Sequence, residues 1–209
     1  LCLAAAVLTR YEAWPFVAAF LALGVVSALR QGRSARESLL IGGRLAAYPA
    51  VAVLAFLALS RATVGAWFVT GGFFVAENPA HHRPLRALAS VVWGVHELSS
   101  RPLAILGAAG LLLLLARGLR SRQMARWLPA LALAGVAALP WYAFYSGHPF
   151  RIRYMIPLIS LLGLGVGCAV GLAGRLKPLV ALLAIAALAL GSSPLDSKAP
   201  MVLEAQWDR

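Results

Sequence analysis

Long apolar runs without charge are the feature that most restricts how this chain can fold. Residues 13–29 contain no charged side chain, and several other stretches are nearly as apolar. A helix of about 20 such residues crosses the hydrocarbon core of a bilayer, whereas a soluble domain cannot leave so much apolar surface in water. Only 12% of the residues are charged, against about 25% in soluble proteins. We therefore predict an all-α membrane protein.

The apolar runs predict a bundle of about six transmembrane helices plus a partial one. The predicted spans lie near 1–9 (the partial one), 13–29, 39–60, 102–116, 127–145, 154–174 and 178–191. Residues 1–193 would then form a partial transmembrane domain, and 194–209 the start of a truncated external segment. The first residues are apolar without a charged region before them, which indicates a fragment that starts inside a helix rather than a signal peptide.

The distribution of Lys and Arg predicts the membrane face of each loop. Three short linkers, together with Arg44, hold ten basic residues, and the one acid on the same face is Glu37, next to the first linker. The linkers are residues 30–36, 117–126 and 175–177. Dense positive charge in short loops is typical of the cytoplasmic side. The net charge of +12 thus has a topological cause, and because the basic residues are spread between apolar runs we expect no nucleic acid as a partner.

The long external loop, residues 61–101, contains two weaker elements. Residues 62–76 could form a short span, but we favour an interfacial segment because a span here would disturb the inside-outside alternation. Pro84 fits the first position of a helix. An apolar stripe at helical spacing follows it, made of Leu85, Leu88, Val92 and Val95. These residues predict an amphipathic helix on the membrane surface.

Several patterns resemble ligand sites but have plainer explanations. Four glycines in the middle of one predicted span follow no strand, which favours close helix packing over a dinucleotide motif. They are Gly163, Gly165, Gly167 and Gly171. His81 and His82 have no carboxylate at ligand spacing, so we predict a solvated loop and no metal site. The two cysteines, Cys2 and Cys168, cannot form a disulfide framework.

The first candidate site is the polar corner Arg10-Tyr11-Glu12, which separates two apolar runs. A charge in a membrane costs roughly 2.5–3.5 kcal/mol at the helix centre, so it needs a structural or functional reason. One interpretation is interfacial anchoring, with both charges reaching water. The other is a polar corner that holds a substrate at the lipid boundary. The sequence leaves both open.

The second candidate site comprises His148, Arg151, Arg153 and Tyr154. Pro149 favours an extended conformation for His148. If the stretch stays extended, Arg151 and Arg153 point the same way, because side chains alternate along an extended chain. Two neighbouring guanidinium groups match a phosphate in geometry and charge. The sequence therefore favours phosphate recognition by this aromatic-rich loop at headgroup depth over nonspecific contact with lipid headgroups.

Both sites carry a resemblance to a known superfamily. Leu8-Thr9-Arg10-Tyr11-Glu12-Ala13-Trp14 resembles the "LTRYEGW"-like signature of GT-C membrane glycosyltransferases, with Ala13 where glycine is common. Arg153-Tyr154-Met155-Ile156-Pro157-Leu158 is similar to the "RYxxPL" segment of the same superfamily, and Gly147-His148-Pro149 precedes it. These motifs are short, but their order and spacing follow the superfamily, whose protein-mannosyltransferase-like members use polyprenyl-phosphate sugars.

The resemblance implies a hexosyltransferase that moves a sugar from a polyprenyl-phosphate donor to the hydroxyl of an acceptor glycan, lipid or protein. It implies donor or substrate contacts by Arg10, Tyr11, Glu12, His148, Arg151, Arg153 and Tyr154. It assigns the catalytic acid to an external loop before Leu1, so we expect this piece alone to be inactive. It implies no certain cofactor, leaves a divalent metal open, and points to the periplasmic or extracellular side of a bacterial inner membrane.

Two other functions fit the same residues. A transporter or flippase of an anionic lipid-linked substrate would also need these arginines, although such proteins often contain paired repeats and broken helices near the midplane. A noncatalytic assembly subunit would explain why the acid of the superfamily is absent from these residues. Sugar transfer is the main hypothesis because the charges cluster at one membrane face.

Overall fold

A computed structural model describes residues 1–67, 75, 78–191 and 196–207. Over these residues the chain is helical and contains no β-strand, which confirms the predicted all-α class. The α-helices of the described residues are α1 (Cys2–Thr9), α2 (Ala13–Arg30), α3 (Ala35–Val64), α4 (Pro84–Glu97), α5 (Arg101–Arg120), α6 (Arg122–Ala125), α7 (Ala138–Tyr145), α8 (Ile156–Leu172), α9 (Lys177–Ala189) and α10 (Pro200–Trp207). 3-10 helices at Leu128–Ala137, Ile152–Met155 and Gly174–Leu176 lead into α7, α8 and α9.

Within the described ranges, five helical segments are long and apolar enough to cross a membrane. They are Ala13–Arg30, Ala35–Val64, Arg101–Arg120, Leu128–Tyr145 and Ile152–Leu172. The sequence predicted two further elements, a partial span at 1–9 and a sixth span at 178–191. The helices found there, α1 and α9, have 8 and 13 residues, fewer than the roughly 20 that a span needs.

Large apolar side chains lie on the outside of these helices. Ile105 is 71% exposed and Leu190 is 73% exposed, whereas many of the buried side chains are small, such as Ala132 and Ala187. Apolar side chains facing outward need lipid as their solvent, and small residues let helix backbones approach closely. The protein is therefore an integral membrane protein with a helical bundle.

Helix α3 begins and ends at local sequence signals. The Ser34 hydroxyl accepts the Glu37 backbone N–H at 3.2 Å, and the Ser34 N–H donates to the Glu37 carboxylate at 3.1 Å. This capping box satisfies two N–H groups at the start of the helix. Gly65 ends the helix with a φ of 80°, which glycine adopts without steric cost. The helix thus includes residues 62–64, which were predicted to be interfacial.

The remaining predictions for two polar segments fall partly outside the described residues. Of the predicted interfacial stretch 62–76, residues 68–74 and 76 lie outside them. Of the predicted external segment 194–209, residues 194–195 and 208–209 also lie outside them.

The chain forms two compact units, and the first comprises Leu1–Phe74 and Gly118–Leu139. In this unit α2 packs against the 3-10 helix Leu128–Ala137 and against α3, and α1 also packs against α3. Gly135 permits one of these approaches, because a β-carbon there would lie only 2.7 Å from the carbonyl oxygen of Pro15.

The second unit comprises Val75–Arg117 and Pro140–Arg209, and glycines bring α5 and α8 together within it. A β-carbon on Gly110 would lie 1.8 Å from the carbonyl oxygen of Gly165, and one on Gly165 would lie 2.1 Å from that of Gly107. The other three glycines of the predicted packing motif, Gly163, Gly167 and Gly171, would meet no atom within 4 Å among the described residues. Close packing is therefore confirmed at Gly165 and not at those three.

Helix α4 also lies in the second unit and presents two different faces. Leu85 is 80% exposed and Val92 is 61% exposed. Such exposure is expected of an amphipathic helix whose apolar stripe faces lipid. The other face is buried and small, and a β-carbon on Gly94 would lie only 2.2 Å from the methyl carbon of Met155. Helix α4 therefore rests directly on the turn that leads into α8.

Candidate functional site

The corner Arg10-Tyr11-Glu12 joins α1 to α2 in the first unit, and its charges pair with each other. Arg10 Nη2 donates to Glu12 Oε1 at 2.6 Å, and Arg10 Nε donates to Glu12 Oε2 at 3.2 Å. This two-pronged geometry is the strongest contact between a guanidinium and a carboxylate. The Glu12 side chain is only 13% exposed, whereas that of Arg10 is 68% exposed. The pair thus supports a structural role, and substrate contact by Arg10, Tyr11 and Glu12 stays a prediction.

Aromatic rings hold this corner in place. The rings of Tyr11, Trp14 and Phe56 meet edge to face in all three pairs, with centroids 5.6, 6.0 and 6.2 Å apart. Trp14 Nε1 also donates to the carbonyl oxygen of Val7 at 2.8 Å. A cavity of about 410 Å³ opens beside Arg10 and Phe56. Tyr11, which the sequence linked to substrate, therefore also packs the corner.

The Arg10–Glu12 pair predicts a pH dependence of stability. Burial raises the pKa of Glu12, but hydrogen bonds from Arg10 and from the backbone, with the charge of Arg10, lower it below its ordinary value of 4.5. A lowered folded-state pKa stabilises the protein above the unfolded pKa, and this stabilisation is lost as pH falls through the folded value. In detergent, the melting temperature should fall more steeply below about pH 4.5 in the unmodified protein than in Glu12→Gln. Glu97→Gln should keep the steep slope, and equal slopes in all three proteins would contradict the assignment.

The loop that carries the second candidate site starts at the end of α7, in the second unit. Gly147 has a φ of 93°, which reverses the chain, and the His148 N–H donates back to the Ala143 carbonyl at 2.9 Å. This is the usual glycine stop of a helix. The Asn78 side-chain amide donates to the carbonyl oxygens of Phe144 and His148. His148 is therefore fixed through its backbone, by an asparagine that the sequence did not single out.

The conformation expected for Arg151 and Arg153 holds for only one of them. Arg151 is extended, with φ −131° and ψ 111°, but a 3-10 turn begins at Ile152 and continues to Met155. The alternation that would direct both side chains the same way is thus interrupted between them. The prediction assumed an extended stretch, and it is wrong from Ile152 onward because the chain there already begins to coil into α8.

A residue missed by sequence reasoning, Glu204 of α10, meets this turn. Glu204 Oε2 accepts the backbone N–H of Ile152 at 2.5 Å, and Glu204 Oε1 lies 3.6 Å from Arg153 Nε. The Glu204 side chain is 11% exposed, and that of Arg153 is 49% exposed. The sequence placed Glu204 in an external tail with no partner in view, so only its negative charge could have drawn attention to it.

Aromatic packing supports the remaining part of the loop. The Phe144 ring is 1% exposed and lies 5.4 Å from the Phe150 ring and 6.4 Å from the Tyr154 ring, between centroids. Phe150 also borders a groove of about 720 Å³ next to α4. We call this the α4 groove; it is lined by Asn78, Arg86, Ser90, Trp93, Pro149 and Phe150, among others. An apolar wall with one cation beside it suits a ligand with an apolar chain and an anionic group.

The histidines of the preceding loop lie against each other. The rings of His81 and His82 are 3.9 Å apart between centroids, and His82 has a φ of 54°. The His82 N–H donates to the Tyr145 carbonyl at 2.9 Å. Among the residues that the structure describes, no group of three or more His, Cys, Asp or Glu side chains could hold a metal ion.

The two candidate sites belong to different units of the chain. Arg10, Tyr11 and Glu12 lie in the first unit, and the loop from His148 to Tyr154 lies in the second. The second loop contains two arginines, of which Arg153 lies beside a buried carboxylate. Its backbone is fixed by Asn78, and Pro149 and Phe150 line an apolar groove, so it has more of the features of a ligand site. No known protein family, curated protein or solved structure matches this chain.

Proposed function

We propose that the full-length protein is an integral membrane glycosyltransferase. It transfers a hexose from a polyprenyl-phosphate donor to an acceptor hydroxyl on the non-cytoplasmic face, and we place it in a bacterial inner membrane. The observation that carries the proposal is the turn at Ile152–Met155, which brings two arginines, Arg151 and Arg153, to the start of a membrane helix. Guanidinium groups suit a lipid phosphate because their paired donors match its oxygens.

The chemistry of transfer gives these arginines a defined task. The acceptor oxygen forms a bond to the anomeric carbon of the sugar while the bond from that carbon to the phosphate oxygen breaks. The acceptor proton passes to a base, and polyprenyl phosphate leaves with an additional negative charge. Fixed cations stabilise charge that develops in the transition state. Arg151 and Arg153 would do so at the departing phosphate, with Tyr154 and His148 as further polar contacts.

The surroundings of the loop support a lipid-linked donor rather than a water-soluble one. The α4 groove is mainly apolar and is lined by Trp93 and Phe150, two aromatic residues. Helix α4 exposes Leu85 and Val92, as a helix on a lipid surface does. A polyprenyl chain could therefore lie along α4 while its phosphate reaches the neighbouring loop.

A transfer assay tests the proposal. The full-length protein in proteoliposomes is supplied with a radiolabelled hexose on either polyprenyl phosphate or a nucleotide, together with candidate acceptors. We expect labelled product from the lipid-linked donor alone. Labelled lipid that crosses the bilayer without sugar transfer would instead support a transporter or flippase. Product from the nucleotide sugar alone would contradict the proposed donor.

A further inference from the structure

Two segments of the first unit bring six exposed arginines to neighbouring positions. One segment runs from the end of α2 into the start of α3, and the other runs from the end of α5 through α6. The segments are in contact, because α2 packs against α6 and Arg122 Nη1 lies 3.6 Å from the place that a β-carbon on Gly32 would occupy. We call these arginines the basic cluster; they are Arg30, Arg33, Arg36, Arg120, Arg122 and Arg126.

The basic cluster contains little negative charge of its own. Glu37 is the one acid in or next to the two segments, and its carboxylate accepts the Ser34 N–H in the capping box of α3. Within the described part of the chain, none of the six arginine side chains forms an ion pair with a carboxylate. Like charges that are held close together repel. An anion between the two segments would therefore stabilise their contact.

The residues around the basic cluster place it at the boundary of the bilayer. Helix α2 ends at Arg30 and α3 begins at Ala35, and both helices are long and apolar enough to cross a membrane. Leu39, one turn into α3, is 64% exposed, as a lipid-facing side chain is. The Arg126 guanidinium lies 5.6 Å from the centre of the Trp127 ring, and tryptophan is enriched at headgroup depth. The arginines thus lie at the depth of phospholipid phosphates.

We propose that the basic cluster binds the headgroup of an anionic phospholipid from the surrounding bilayer. Guanidinium groups match phosphate oxygens in charge and geometry, and basic pockets between transmembrane helices are typical sites for such headgroups on the cytoplasmic side. The cluster lies on the face predicted to be cytoplasmic. Its phosphate would join α6 to the turn between α2 and α3, while its acyl chains lie against the exposed leucines at the start of α3.

This lipid site does not depend on the proposed sugar transfer. The basic cluster belongs to the first unit, whereas the loop proposed to bind the sugar donor belongs to the second. A bilayer phospholipid also differs from that donor in chemistry, since it carries no sugar that could be transferred. The experiments below therefore measure lipid binding and stability, and their outcome is separate from that of the transfer assay.

Native mass spectrometry of the full-length protein with added phosphatidylglycerol or phosphatidylcholine tests the site. The first phosphatidylglycerol should bind at least about tenfold more tightly than the first phosphatidylcholine, because each arginine near an anionic lipid contributes about a fivefold factor. Arg122→Gln should thus lose about fivefold in affinity for phosphatidylglycerol and keep its affinity for phosphatidylcholine. Equal affinities of the unmodified protein for the two lipids would overturn the proposal.

Arg175→Gln is the matched control for this measurement. It removes the same charge from an exposed arginine of the linker 175–177, which is predicted to lie on the same membrane face but is not part of the basic cluster. Its affinity for phosphatidylglycerol should stay unchanged. Equal losses in Arg175→Gln and Arg122→Gln would overturn the proposal, because binding would then follow net charge alone. Should Arg122→Gln fail to fold, Arg120→Gln removes another exposed arginine of the cluster.

The melting temperature in nanodiscs distinguishes a lipid from a soluble anion. A ligand that binds only the folded state stabilises it, so replacing phosphatidylcholine by phosphatidylglycerol should raise the melting temperature of the unmodified protein more than that of Arg122→Gln. Inorganic phosphate added to phosphatidylcholine nanodiscs should not reproduce this rise, because it has no acyl chain to lie against α3. An equal rise with inorganic phosphate, or no rise with phosphatidylglycerol, would overturn the proposal.

Discussion

Replacing Arg153 by Ala should reduce sugar transfer by the full-length protein by about 10²–10³-fold, the usual loss when one donor to a developing negative charge is removed. Arg153 is half-exposed beside the buried Glu204, so its truncation leaves no large apolar cavity, and Glu204 still accepts the backbone N–H of Ile152. The variant should therefore insert and fold. Initial rates with a polyprenyl-phosphate hexose, together with size-exclusion profiles in detergent, measure the two expectations.

Two further variants test whether the loss of sugar transfer is specific to position 153 and whether it requires the guanidinium group. Arg83→Ala removes the same side chain from an exposed position just before α4 in the same unit and should keep nearly full activity. Arg153→Lys keeps the charge but loses the paired donors, so an intermediate loss of about tenfold is expected. Normal sugar transfer by Arg153→Ala would contradict the proposal that Arg153 binds the phosphate.

Replacing Gly110 by Ala should destabilise the second unit strongly. The added β-carbon would lie 1.8 Å from the Gly165 carbonyl oxygen and 2.8 Å from the Ala169 backbone nitrogen. Both neighbours are backbone atoms, which cannot rotate away as a side chain can, so α5 and α8 must separate. Overpacking usually costs 1–3 kcal/mol, and we expect a loss of at least about 3 kcal/mol here. Unfolding by denaturing detergent measures this change.

Gly163 of α8 provides the matched control. A β-carbon there would meet no atom within 4 Å among the described residues. Gly163→Ala should therefore leave stability unchanged or raise it by roughly 0.5–1 kcal/mol, since Ala favours a helix more than Gly does. Equal unfolding of Gly110→Ala and Gly163→Ala would mean that α5 and α8 do not cross at these glycines.

The sequence predicted those parts of the fold that depend on local periodicity. Uncharged runs predicted the long helices, because a bilayer imposes a length and a composition on each of them. The stripe from Leu85 to Val95 predicted α4 because the period of a helix repeats within a few residues. The same reasoning could not choose among four glycines on α8. Only the partner helix α5 determines that Gly165 makes the close contact.

The candidate site depends on contacts between residues that are far apart in the sequence. The extended conformation predicted from Pro149 ends at Arg151, because the turn into α8 starts earlier than the apolar pattern indicates. Asn78 and Glu204 contact the loop from 70 and 52 residues away. No spacing rule links residues at such separations, so neither contact could be predicted from one sequence. By contrast, Arg10 and Glu12 are two residues apart, so their pairing depends on neighbouring residues alone.

Binding of sugar-free polyprenyl phosphate to the full-length protein in nanodiscs tests the central claim most directly. The loop at Arg151 and Arg153 should recognise the phosphate, so the unmodified protein should bind polyprenyl phosphate saturably and bind uncharged polyprenol far more weakly. Arg153→Ala should lose at least about tenfold in affinity, because hydrogen bonds to charged groups contribute roughly 1.5–3 kcal/mol. Equal affinity for the phosphate and the alcohol, or an unchanged affinity in Arg153→Ala, would contradict phosphate recognition at this loop.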